Sequence, residues 1–161
     1  MEKKRQLPKR WFGVIRENPE RIIEACNWYR ENLDQAFDDM AIEGNLQMAN
    51  QLHPGLVAYY NAMHTDLDMI EEYCKQSVIA TKARRLRQWI ENPPFNTKVN
   101  ETTMKSLLET DEEVIEANSI LLEVQDVFKK YTGLMKVLND RGYSLNNITK
   151  LRIANMEEVE I

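Results

Sequence analysis

After Pro54, the residues Leu56, Tyr60, Met63, Leu67, Ile70 and Cys74 follow one another at spacings of four and three. That is a heptad seam, and such a seam demands a partner helix along its length. No strong breaker intervenes before Pro93-Pro94. The pattern therefore predicts one helix from about 54 to 91, about 55 Å long at 1.5 Å per residue. A rod of that length exceeds the interior of a compact globule. The expected fold is all-α, a helical bundle with one long helix, assembling into a homo-oligomer.

The rest of the chain fits a bundle. Asn18-Pro19-Glu20 is a helix start, with an Asn cap, Pro at the first helical position and an acid in the first turn. Ile22, Ile23, Cys26, Tyr29, Leu33, Ala36, Phe37 and Met40 then recur at helical spacing, which predicts a helix to about Glu43 with a break near Gly44. Leu46 to Leu52 reads as a short helix or a continuation, and Pro54 as the start of the long one. Asn100 or Thr102 is expected to cap a short helix holding Met104, Leu107 and Leu108. Thr110-Asp-Glu-Glu113 reads as a capping box. The helix it opens carries Val114, Ile120, Val124, Phe128, Tyr131, Met135 and Leu138 and is expected to end at Arg141-Gly142. Ser144 then caps a last short helix. No stretch reads as a strand, and no repeat is evident.

The expected organisation is a basic arm (1–16), a single helical domain (17–153) and an acidic tail (154–161). The arm holds Lys3, Lys4, Arg5, Lys9 and Arg10 around Pro8, followed by Trp11, Phe12, Val14 and Ile15. It reads either as a tail with an apolar plug or as a second polyanion- or partner-binding arm. No apolar run is long enough to span a membrane, and no apolar segment follows the basic start to make a secretory signal. Cys26 and Cys74, far apart in helical patterns, read as reduced cytosolic thiols.

Charge is distributed unevenly. The chain carries a net −5, yet 75–90 contains Lys75, Lys82, Arg84, Arg85 and Arg87 and no acid. An acidic protein that concentrates positive charge in this way is built to hold something anionic. On a helical wheel Ile79, Ala83, Leu86 and Ile90 share a face, and Lys82 falls among them. Arg84 and Arg87 point to the opposite side, and Lys75 and Arg85 lie near one flank. A lysine inside an apolar stripe must snorkel, pair or meet an anion. The functional alternative to a snorkelling lysine is a groove that tracks phosphates, with Trp89 offering a ring for base stacking.

Enzymatic chemistry has little to stand on. There is no glycine-rich phosphate loop, no HExxH and no Cys/His cluster at zinc spacing. His53 and His64 read as structural or surface residues. Acids three apart (Glu17 and Glu20, Glu31 and Asp34, Asp68 and Glu71) share helix faces and are the one opening for Mg²⁺, as in all-α nucleoside triphosphate pyrophosphohydrolases. Chance pairing is the alternative in a chain with 26 acids. No catalytic residue, metal or cofactor is expected.

Three ordered pieces carry a family resemblance: Thr81-Lys-Ala-Arg84; Met104-Lys105-x-x-Leu108-x-x-Asp111-x-x-Val114; and Arg141-Gly142-Tyr143-x-Leu145-x-x-Ile148-x-x-Leu151-Arg152. Between Cys74 and Arg152 the chain resembles the UvsY recombination mediators of T-even-like bacteriophages. The resemblance implies a non-enzymatic, ring-like homo-oligomer in the cytoplasm of an infected bacterium, acting in phage DNA recombination, repair and replication. It implies binding to single-stranded DNA and help for a RecA-like phage recombinase (UvsX) in displacing the single-strand-binding protein. Lys82 and Arg84 match the family's DNA-binding Lys-Ala-Arg; Arg85, Arg87 and Lys75 join them on charge alone. A helical protein–protein scaffold without DNA binding is the alternative.

Overall fold

The structure is a computed structural model and describes residues 8–41, 45–94 and 99–154. All its regular structure is helical. It comprises α1 (Trp11–Glu17), a 3-10 turn (Pro19–Arg21), α2 (Ile22–Met40), α3 (Leu46–Glu91), α4 (Glu101–Leu108) and α5 (Glu112–Ile153). The outer parts of the arm and of the acidic tail, and Glu43-Gly44, lie outside the described residues.

α3 and α5 form an antiparallel hairpin. Its rungs descend along α5 as they ascend along α3. His53 Nδ1 meets Arg141 Nη1 at 2.9 Å, His64 Nε2 meets Thr132 Oγ1 at 3.1 Å, and Gln125 Nε2 donates to Glu71 at 3.0 Å. The heptad seam is the face that closes this hairpin. Leu56, Tyr60, Met63, Leu67, Ile70 and Cys74 are all buried, with Val124, Val127, Tyr131, Leu134 and Leu138 from α5 in the same core. α2 completes the core with Ile22, Ala25, Cys26, Tyr29 and Ala36, and α1 adds Trp11 and Ile15. Burial pushes both free thiols, Cys26 and Cys74, up to about 11, so neither is a reactive thiolate at neutral pH.

α1 is short and its N-cap residue, Arg10, supplies no side-chain hydrogen bond. The cap comes from another helix. Asp66 Oδ2 on α3 accepts from Trp11 N at 2.7 Å and Phe12 N at 3.2 Å, and from Tyr29 O–H at 2.6 Å. One buried carboxylate thus joins α1, α2 and α3 and satisfies two donors that a helix start leaves open. Tyr131 O–H, donating to the carbonyl of Tyr29 at 2.9 Å, extends the network to α5.

Three boundaries differ from the sequence expectation, each for a physical reason. α3 begins at Leu46 rather than near Pro54, and runs 46 residues, about 69 Å. Pro54 lies inside it. A proline there removes one backbone hydrogen bond. The turn before it is held in place by Leu46 and Ala49 packing with Leu145, and by Asn50 Nδ2 donating to Thr149 at 3.0 Å. α5 continues through Arg141-Gly142 to Ile153, so there is no separate last helix. Gly142 serves close approach rather than a turn: a Cβ on it would stand 2.7 Å from His53 Nε2. Ser144 accordingly bonds back to the carbonyl of Asp140 at 3.1 Å, as a mid-helix serine does. The cap of α5 is Asp111, which accepts from Glu113 N at 3.1 Å, one residue later than the capping box implied. Thr110 Oγ1 instead donates to the carbonyl of Leu107. α2 ends at Met40. At α4, Asn100 is the cap, accepting from Thr103 N at 2.8 Å.

Candidate nucleic-acid interface

The basic segment forms the C-terminal end of α3, beyond the level at which α1 and α2 cover the hairpin. The main core reaches only Cys74 on α3 and Ile120 on α5. Past that level the buried apolar residues among those described are Val78, Leu108 and Val114. Here α3 packs against α4 and the first turns of α5.

Folding returns an acidic stretch to the basic one. Residues 109–113 hold Glu109, Asp111, Glu112 and Glu113, and the antiparallel register sets them beside the end of α3. Lys82 Nζ lies 2.7 Å from Glu109. Arg84 Nη2 lies 2.5 Å from Glu113. Arg85 donates from Nε and Nη2 to Asp111 Oδ2 at 2.9 and 2.6 Å and reaches Glu113 at 3.4 Å. Lys75 pairs with Glu71 at 3.0 Å, one turn back on α3. Arg87 is exposed and makes no ion pair with the described residues.

These pairs are not equivalent. Asp111 is 5% exposed in its side chain and also caps α5. The Arg85 guanidinium and two backbone N–H groups hold its carboxyl below the ordinary range, and the same pair raises Arg85. Arg85 therefore ties α3 to the start of α5. The Lys82 and Arg84 partners are different, for Glu109 and Glu113 are 56% and 45% exposed. Exposed pairs of this kind contribute about 0–1 kcal/mol each. Lys82, placed by the wheel among apolar residues, resolves its position by pairing across to α4.

Arg85 and Trp89 line an open cleft of about 430 Å³ with Pro94, Leu107 and Thr110. The half-buried Trp89 shares this cleft with Arg85. Of the three sequence pieces, Thr81–Arg84 and Met104–Val114 come together at this end. The third lies at the opposite end of the hairpin, where it is architectural. Arg141 Nε donates to the carbonyl of Met40 at 2.9 Å, and Leu145 is buried.

The counter-charges Glu109, Asp111 and Glu113 were not anticipated as part of the site. Their signal was present: four acids in five residues, one loop and one short helix after five cations. Among the described residues no three His, Cys, Asp or Glu side chains converge to hold a metal ion, and Glu71 of the Asp68/Glu71 pair is engaged by Lys75 and Gln125. Among the described residues no helix is long and apolar enough to cross a membrane. No family model, curated protein or solved structure matches the chain.

Proposed function

We propose that this chain is a single-stranded-DNA-binding recombination mediator of the UvsY type, working as a homo-oligomer that helps a RecA-like recombinase replace single-strand-binding protein. The observation that carries the reading is the acid-free run of cations at the overhanging end of α3. Arg87 is exposed and without an ion pair among the described residues, and Lys82 and Arg84 are held only by exposed carboxylates. Phosphates displace such partners because each contact on DNA also releases condensed counterions. Trp89 and Arg85 line the cleft that adjoins these cations. Arg85 positions the site through Asp111, and Lys75 sets its inner limit. One protomer offers few contacts, so affinity rests on several protomers engaging one strand.

Fluorescence anisotropy on a labelled oligothymidylate tests this. Lys82→Ala/Arg84→Ala is expected to weaken binding about tenfold or more, and wild-type affinity to fall steeply with salt. Equal affinity for both proteins, or indifference to salt, sinks the reading.

A second reading, a helical scaffold that binds only protein, draws on Ile79, Ile90, Ile115 and Leu122, which are 52–65% exposed. It predicts assemblies whose sedimentation is unchanged by added oligonucleotide, whereas a mediator sediments with the DNA.

A further inference from the structure

We propose that the α4–α5 junction is a built-in competitor for the anion site. Glu109 and Glu113 occupy Lys82 and Arg84 in the free protein and are expelled when a polyanion binds. The inference rests on the nucleic-acid reading above and adds its regulation.

Three observations carry it. First, the cations at the tip draw their counter-ions from one five-residue stretch rather than from scattered neighbours. Second, the stretch divides its labour. Asp111 is buried and caps a helix, so it stays. Glu109 and Glu113 are exposed, so they can leave without opening the fold. Third, a helix end eases the departure of one of the two. Glu113 stands in the first turn of α5, where the dipole stabilises it even when released from Arg84. Arg87, exposed and outside this network, is the first point of contact for an incoming phosphate.

Binding by exchange has a defined consequence. The displaced carboxylates remain near the phosphates and oppose them, so each protomer holds a strand more loosely than its cations alone would. A protein that must give its strand up to a recombinase needs such a release.

The test uses full-length Glu109→Gln/Glu113→Gln, which keeps side-chain size and leaves Asp111 untouched. The control is Glu31→Gln/Asp34→Asn, which makes the same charge change at exposed positions of α2. Binding to the oligothymidylate probe is read by anisotropy, with circular dichroism confirming equal helicity. The junction variant is expected to bind about three- to tenfold tighter than wild type, as two surface pairs allow. The control should gain less than half as much, and adding Lys82→Ala/Arg84→Ala should abolish the gain. Binding by the junction variant where wild type shows none also supports the proposal. If wild type binds and the junction variant is no tighter, or gains only what the control gains, the competitor idea is overturned while the DNA reading stands. If neither protein binds, both fall.

Discussion

At the scale of single residues, the fold turns on a few polar groups that serve more than one element. Asp66→Ala leaves two backbone N–H groups of α1 and the Tyr29 hydroxyl without their shared acceptor. It is expected to lower stability by about 2–4 kcal/mol in urea denaturation. Asp68→Ala, exposed two residues later, should be near neutral. His53 makes a second, pH-dependent point. Arg141 can only donate, so His53 Nδ1 must accept, and the ring is neutral with its proton on Nε2. Burial and then the Arg141 charge lower the His53 pKa. The unfolded chain therefore takes up a proton first, and stability is lost as pH falls below about 6.5. Thermal melts between pH 7.5 and 5 should show this slope in wild type and a flatter profile in His53→Gln. Asp111 acts lower on the scale. Its depressed pKa gives stability that is present above about pH 4 and lost as pH falls through the folded value. Asp111→Ala should cost about 1–3 kcal/mol at pH 7 through the lost cap and pair, with the difference from wild type shrinking below pH 4. None of these partnerships was legible in the chain, because each joins residues on different helices whose register no local pattern encodes.

At the scale of elements, the glycines of α5 give opposed expectations. Gly133 is exposed with open space around it, so Gly133→Ala should stabilise by about 1 kcal/mol through helix propensity alone. Gly142→Ala gains the same propensity but drives a methyl into His53, whose other ring nitrogen is held by Arg141. It should be net destabilising by about 1 kcal/mol or more. Paired denaturation curves decide both. The existence of α2 to α5, the heptad seam and the Asn18 cap follow from spacing and residue type, and Asn100 is one of the two caps the spacing offers. The ends of α3 and α5 do not. Pro54 and Gly142 are breakers by local rule, but tertiary contacts hold the helix through both: the Leu46–Ala49–Leu145 packing in one case and the His53 approach in the other.

At the scale of the molecule, the basic segment was visible as an excess of charge, but its state was not. Lys82, Arg84 and Arg85 are cations in the sequence and members of ion pairs in the fold. The change comes from the antiparallel return of 109–113, which is a matter of topology. The unequal lengths of the helices have a further effect. α2 is 19 residues long against 46 for α3, and α3 projects beyond the aromatic core. Amides of 79–91 should exchange with deuterium well before those of 60–74, by openings that leave the core closed. On that expectation the overhang is the compliant part of an otherwise stiff rod. A curved polymer can bend it locally without straining the anchored half. On the proposed reading, mechanical softness at the tip, as much as positive charge, would set how many protomers grip one strand together.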